Sequence, residues 1–466
     1  MSKAIDAAPR SLLSRLGAID ERVAFYLLIF FGALVAGLVL ATPLAFWKYG
    51  DNAYIGMAIA TGLAALGAAM VADRAQPARA LWLIFGVAVM LRLFMLFVDP
   101  LLSSDIYRYV WDGKVQAAGI NPYRYVPADA ALASLRDTAI YPNINRAHYA
   151  VTIYPPVAQM FFFLVTRFGE SVTTMKVALL ACEGVTVTMI VVLLRQLARP
   201  ATRIVAYAWH PLPMWEIANS GHIDALMVAL MMLGLWLALT GRPLRGAASI
   251  ALAALVKPFA LLALPATWRP TWRPWDWKAP LIIIAIALLC YAPYLAVGWG
   301  VFGYLAGYLG EEHYSTGALL WPLAAIRLVV GAFRGDLAIY FAASACAIAA
   351  MALYAAWRKE RSAELCLHDI NRLLLAFLFL LSPNYPWYFL ILTPFVALVG
   401  GAPVWAFTLG AVLLQDELRV DPYVPVLVRK SALYGAFLIA CAYPVLRAWL
   451  NPARSGDASD GAAANR

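Results

Sequence analysis

Seven residues apart in a polar stretch of this chain, Asp105 and Asp112 are its most suggestive pair of acids. On a helix that spacing puts both carboxylates on one face, about 10 Å apart along the axis. Arg108 stands between them at i+3 and i−4, within pairing reach of either. A carboxylate held at the mouth of a membrane cavity suits a general base, which takes the proton from a hydroxyl as that hydroxyl attacks. The plainer alternative is an amphipathic surface helix with solvated ion pairs. The same segment runs on through Gly119-Ile120-Asn121-Pro122-Tyr123 and closes at Tyr154-Pro155-Pro156. There Tyr154 could lie along a sugar or a lipid, while the prolines start a helix.

Ionisable residues inside apolar runs are costly and imply a task. Arg92 and Lys257 are two such residues. Either could hold a phosphate, Arg as a bidentate fork and Lys as a point charge. Snorkelling to the interface is the alternative, stronger for Arg92 than for Lys257 beside its helix-breaking Pro258. From Trp209 to Asp224 the chain gathers His210, Glu216, Asn219, Ser220, His222 and Asp224 around one junction between apolar runs. His222 and Asp224 read as a base with its orienter, or as two sugar contacts. At i,i+2 they do not face each other on a helix, so a direct dyad needs a turn at Gly221. Asn384 and Tyr385 lie in Ser382-Pro383-Asn384-Tyr385-Pro386-Trp387-Tyr388, an aromatic-polar cluster or an interfacial belt. Glu311, Glu312 and His313 fit a solvated loop equally well. No HExxH-type or comparable ligand spacing occurs, so no cofactor is expected, and a divalent-metal requirement is left open by the sequence. GxxxxGK[ST] and GxGxxG are absent too, which leaves ATP and nucleotide sugars without a motif. An activated substrate has to come from the membrane.

The elements that carry these residues follow from composition. Of 466 residues, 63% are hydrophobic and 13% charged, and the mean hydropathy is +0.74. Soluble domains carry about 25% charged residues, so this is a polytopic membrane protein. The net charge of +10 sits largely in short loops beside apolar runs, where it reports orientation. Nucleic acid is therefore not an expected partner; membrane lipids are. The five cysteines show no CxxC or paired spacing, which argues against a disulfide scaffold. Residues 1–23 read as a cationic cytoplasmic segment and 24–449 as one membrane domain with a large outer loop at 99–153. Residues 450–466 read as a disordered tail. Apolar runs at 24–47, 55–73 and 79–98 come before the loop. Residues 154–169 read as re-entrant or interfacial, 203–219 and 225–240 as spans, and 246–266 as a hairpin broken at Lys257-Pro258. The expected fold is all-α and polytopic, with roughly 11–13 spans plus re-entrant or interfacial helices.

In order along residues 80–400, SSDIYRYVWDGKVQAAGINPY, TIYPP, SGHIDAL, LVKPFALLALP and SPNYPWY resemble segments of membrane glycosyltransferases of the GT-C superfamily. The resemblance is nearest to bacterial family 87 mannosyltransferases that use polyprenyl-phosphate-mannose. It implies a catalytic aspartate in the first large periplasmic loop, at Asp105. It further implies a polyprenyl-phosphate-linked sugar donor from the bilayer, a lipid or glycan acceptor from the periplasm, inversion at the anomeric carbon, and residence in the inner membrane. Asp112, Arg108, Tyr154, His222, Asp224, Asn384 and Tyr385 are then expected to bind substrate. Arg92 and Lys257 are expected at the donor phosphate, by charge rather than by motif. Where relatives carry a Trp–Phe–Asn-type segment, this chain has Glu311-Glu312-His313-Tyr314-Ser315. Competing readings are a transporter or flippase of a polyprenyl-linked glycan, and a non-catalytic assembly partner. The first should show inverted repeats and acids near the midplane; no repeat is visible and the best acids lie in a loop.

Overall fold

The computed structural model describes residues 19–268, 277–415 and 425–450. The expected tail and most of the expected N-terminal segment lie outside them. Every regular element among the described residues is helical. Helices α1 (Glu21–Tyr49), α2 (Asp51–Val71) and α3 (Pro77–Leu96) come first. The long loop then holds α4 (Asp105–Ala117) and leads to the short α5 (Pro156–Thr166), before α6 (Val172–Gln196) resumes the apolar pattern. α7 (Asp224–Leu239), α8 (Pro243–Ala254), α9 (Lys278–Tyr291), α10 (Asp336–Trp357), α11 (Ala363–Leu381) and α12 (Val426–Leu450) are the principal later helices.

Among the described residues, seven helices are long and apolar enough to cross a membrane, or eight if one bent pair counts as a span. The architecture is thus the polytopic all-α one expected, with fewer long helices than the apolar runs suggested. Five shorter apolar helices make up the difference. Each of the five carries proline in its first two positions, where a ring without an N–H can start a helix but not continue one. α5, at 11 residues, is about 16 Å long and cannot cross a core of about 30 Å, in keeping with an interfacial or re-entrant piece. The run at 203–219 is not one helix. It consists of short turns ending in a π-helical segment, Met214–Asn219, after which the chain bends by 120° into α7. α8 stops at Ala254 and helix restarts at Pro258, so the expected hairpin break is present.

Two glycines seat the loop helix. At Gly113 an added Cβ would lie 2.4 Å from the Phe162 carbonyl oxygen, so α4 meets α5 backbone to backbone only because that carbon is missing. At Gly221 the backbone has φ 71°, and a Cβ there would come within 2.3 Å of Ile106 Cδ1. The start of α4 therefore rests directly on the bend between the π segment and α7. Asn219 fixes the same junction: its Nδ2 donates to the Asp99 carbonyl at 3.0 Å, and its Oδ1 accepts from the Leu101 N–H at 3.0 Å. Tyr207, Trp209 and Trp215 beneath are wholly buried. α9 and α10 bury few of their residues: Ala279 in the first, and Asp336, Tyr340, Ala355 and Ala356 in the second.

Candidate active site

Asp105 is the first residue of α4, where the free N–H groups and the helix dipole favour a negative charge. Its own N–H donates to Ser103 Oγ at 3.2 Å. The half-buried carboxylate is held from two sides: Asn145 Nδ2 donates to Oδ1 at 2.7 Å, and the Tyr154 hydroxyl donates to Oδ2 at 3.2 Å. The Tyr154 and Tyr109 hydroxyls lie 3.5 Å apart. Burial, together with the Asp105 carboxylate, pushes both phenols well above their ordinary range, so both are proton donors at neutral pH. No cation forms an ion pair with Asp105 among the described residues. The Arg146 charge acts on it without forming an ion pair, so its lone pairs are oriented by hydrogen bonds alone.

Asp112 and Arg108 are placed differently from the sequence expectation. Arg108 pairs with Asp112 (Nε to Oδ1, 2.8 Å) rather than with Asp105, and its Nη1 donates to the Ala150 carbonyl at 3.1 Å. Gln159 Nε2 donates to Asp112 Oδ2 at 3.0 Å and to Thr152 Oγ1 at 2.7 Å. Asp112 is 1% and Arg108 5% exposed. Their pair ties α4 to α5 and to the end of the loop, and offers no open edge to a substrate.

His222 and Asp224 do not form a dyad. The π segment and the turn at Gly221 send them to separate partners. His222 Nε2 lies 3.2 Å from Glu216 Oε2, and its ring stacks on Trp387 with centroids 4.3 Å apart. Asp224 accepts from Lys257 Nζ at 2.6 Å. Asp224 is wholly buried while the Lys257 side chain is 15% exposed, so the accessible half of this pair is the cation. Lys257 Nζ also stands 5.0 Å from the centroid of the Tyr388 ring. The buried Tyr109 hydroxyl feels both the Asp105 and the Asp224 carboxylates.

Arg92 lies elsewhere. Its Nε and Nη2 fork onto Glu183 of α6 at 2.9 and 2.7 Å, and Nη1 donates to the Ala208 carbonyl at 2.9 Å. Every guanidinium nitrogen is engaged, which leaves no donor set for a phosphate; the burial is satisfied by a carboxylate ninety-one residues away.

Asn384 and Tyr385 lie beside Glu312, and Asn384 also meets Lys430. Asn384 Nδ2 donates to Glu312 Oε2 at 2.7 Å, and its Oδ1 accepts from Lys430 Nζ at 2.6 Å. The Tyr385 ring lies flat on Trp387, with centroids 4.4 Å apart and planes 6° apart, and feels the charges of Glu312, Arg146 and Asp105. Sequence reasoning passed over Asn145, Arg146 and Lys430. Arg146 adopts φ 54°, donates to Glu311 Oε2 at 2.6 Å and sits over the Tyr308 ring. No spacing rule marks Asn145 or Arg146 within a polar loop, and Lys430 follows Arg429 at the edge of an apolar run, where charges read as flanking a span. Among the described residues no three His, Cys, Asp or Glu side chains converge as metal ligands.

A family model described as "Alpha-(1->6)-mannopyranosyltransferase, N-terminal domain" matches residues 23–271, more than half of the chain. The match takes in Asp105, Tyr154, Asp224 and Lys257 and stops short of Glu312, Tyr385 and Lys430. Two curated relatives are similar. One is alpha-(1->6)-mannopyranosyltransferase A of Mycobacterium tuberculosis, 27% identical over 259 residues, which cover 52% of this chain and 49% of the relative. The other is alpha-(1->6)-mannopyranosyltransferase A of Corynebacterium glutamicum, 29% identical over 177 residues, covering 37% of this chain and 35% of the relative. The chain thus matches about half or less of the length of these relatives. No solved structure matches it.

Proposed function

Because the chain belongs to the alpha-(1->6)-mannopyranosyltransferase family, we propose that it transfers a mannosyl residue from a polyprenyl-phosphate donor to a hydroxyl of a lipid or glycan acceptor. The reaction is a single displacement. The acceptor oxygen attacks the anomeric carbon from the side opposite the phosphate, and its proton passes to an Asp105 carboxylate oxygen. The carbon–oxygen bond to phosphate breaks, and its electron pair leaves with polyprenyl phosphate. Inversion then gives an α-linked product from a β-linked donor.

The observation that carries this reading is the Asp105 carboxylate, set at a helix start, held by Asn145 and Tyr154, and balanced by no ion pair. A base needs lone pairs that are aimed but not neutralised. Lys257 is the cation for the leaving phosphate, since its side chain is partly exposed while its partner Asp224 stays buried. Arg92 has no part in this step. The cationic segment before α1 orients the chain with its N-terminus in the cytoplasm, so α4 with Asp105 faces the periplasm from the inner membrane.

The reading is tested with purified protein in nanodiscs, given a radiolabelled β-linked polyprenyl-phosphate-mannose and methyl α-mannopyranoside. Label recovered in an α-linked disaccharide supports it. A β-linked product means retention and removes the single displacement; no transfer to any mannoside or lipid extract removes the activity.

A further inference from the structure

We propose that the membrane end opposite α4 carries a second binding site, which holds the phosphate of an anionic phospholipid at Arg358, Arg361 and the start of α11.

α7 sets the separation from the candidate active site. It begins at the bend that seats α4 and runs for 16 residues, about 24 Å, to Leu239. There it meets the end of α10 and the start of α11 around a cavity of about 250 Å³, lined by Leu239, Thr267, Arg358, Arg361, Ser362 and Asp369 among others. A second cavity, of about 290 Å³, lies between α10 and α11 and is lined by Ala350, Met351, Tyr354, Asp369, Arg372 and Leu373. Asp369 belongs to both walls. In the orientation proposed above this end faces the cytoplasm.

The arginines are pinned at these walls. Asp369 is 4% exposed and accepts from two of them, from Arg358 Nη1 to Oδ2 at 2.7 Å and from Arg372 Nη1 to Oδ1 at 3.3 Å. Arg361 donates to the Ala356 carbonyl in the last turn of α10. Cations that merely flank a span reach for water on free stems. Here a buried carboxylate and a helix end fix the guanidinium groups beside open volume. Three of them stand against one carboxylate, and Glu364 is already taken by Arg199. The surplus charge suits an anion. Ser362 Oγ accepts from the Leu365 N–H at 3.1 Å, which leaves its own proton to donate. The dipole of the nineteen-residue α11 acts in the same sense.

The shape points to a lipid rather than a free ion. The first cavity has the volume of about eight waters, room for a phosphate with a small headgroup. The second runs along α10 from Tyr354 to Ala350 and Met351, one turn deeper, and is closed by Leu373, an apolar wall that suits an acyl chain. From Phe341 to Tyr354 α10 buries no residue, so this stretch faces hydrocarbon. Tyr354 and Trp357 are exposed at its end, where rings mark the level of the headgroups. A free phosphate accounts for the first cavity alone, whereas a phospholipid fills both. A zwitterionic headgroup neutralises its own phosphate, so the guanidinium surplus selects an anionic one.

The test is native mass spectrometry of the full chain, stripped of lipid in detergent and titrated with phosphatidylglycerol, phosphatidylcholine or inorganic phosphate. Wild type is expected to hold one phosphatidylglycerol at least tenfold more tightly than phosphatidylcholine, and inorganic phosphate is expected not to displace it. Arg361→Gln should weaken that binding at least tenfold and Arg361→Lys by less, since the charge is kept. Ala350→Trp fills the second cavity without touching a charge and should also weaken it at least tenfold; this variant stands in should Arg361→Gln fail to fold. Equal binding of the two lipids, or phosphatidylglycerol held by Arg361→Gln and Ala350→Trp as tightly as by wild type, overturns the site. Inorganic phosphate that binds in place of phosphatidylglycerol, or displaces it, overturns the lipid as the source of the phosphate. Binding is read without donor or turnover, so this site and the transfer reading fail independently.

Discussion

Replacing Arg92 with methionine strands the Glu183 carboxylate inside the helix bundle. The two side chains are 12% and 3% exposed, joined by a two-point fork, so solvent screens little of their attraction. Removing one member of a buried ion pair costs about 3–5 kcal/mol, because the survivor is left desolvated and unpaired. With an unfolding entropy of about 2 cal/mol/K per residue, the 466-residue chain loses roughly 1 kcal/mol of stability per degree near its midpoint. Arg92→Met and Glu183→Met should each lower the melting midpoint by about 3–5 °C. The double variant removes both charges and should recover most of that loss. Intrinsic tryptophan fluorescence melts in one nanodisc preparation measure this, alongside donor KM below the lowest melt. A phosphate ligand behaves otherwise: Arg92→Met would raise donor KM, and the second substitution would not restore it. A double variant as unstable as the worse single, or a raised donor KM in folded Arg92→Met, refutes the placement of Arg92.

Lys257→Met should raise donor KM about tenfold or more, the scale of a lost charge-assisted hydrogen bond, without recovery on adding Asp224→Asn; an unchanged donor KM contradicts its role. Gly221→Ala combines a positive φ with a clash on Ile106, whereas Gly241→Ala carries a similar φ of 79° and meets open space. The first should lose about 1–3 kcal/mol and most transfer activity, the second only the backbone cost, as melts and turnover will compare. Burial holds the Glu312 carboxyl above its ordinary value of 4.5 against the hydrogen bonds from Asn384 and Tyr385. Its contribution to stability is therefore full below 4.5 and declines as pH rises through the folded value. Glu312→Gln should flatten that part of the melt-versus-pH curve between about pH 4 and 8; an unaltered slope contradicts it.

The long helices were legible because a bilayer imposes one rule on every residue of a span, and runs such as 24–47 and 79–98 obey it. Runs that begin or break at proline were not, since 203–219 has the composition of a span and the geometry of several turns. In the site, Asp105 stood out because an acid at the start of an amphipathic helix can be recognised locally. The pairing of Arg92 was not legible for the opposite reason: its partner Glu183 is distant in sequence, and composition cannot say whether a buried charge is already paired. His222 and Asp224 were recognised as a polar pair, but the π segment that sends them to Glu216 and Lys257 leaves no periodic trace. Arg146 and Lys430 become informative only when the fold brings them to Glu311 and Asn384.

The central claim is that Asp105 takes the proton from the acceptor hydroxyl, and Asp105→Asn tests it most directly. The substitution keeps the size of the side chain and a hydrogen-bonding group toward Tyr154 while removing the basic carboxylate. Single-turnover transfer from polyprenyl-phosphate-mannose should fall by about 10²–10⁴ with donor binding and melting midpoint unchanged. Transfer by Asp105→Asn at the wild-type rate would contradict the account, and would leave Asp105 as an acid in the first turn of its helix.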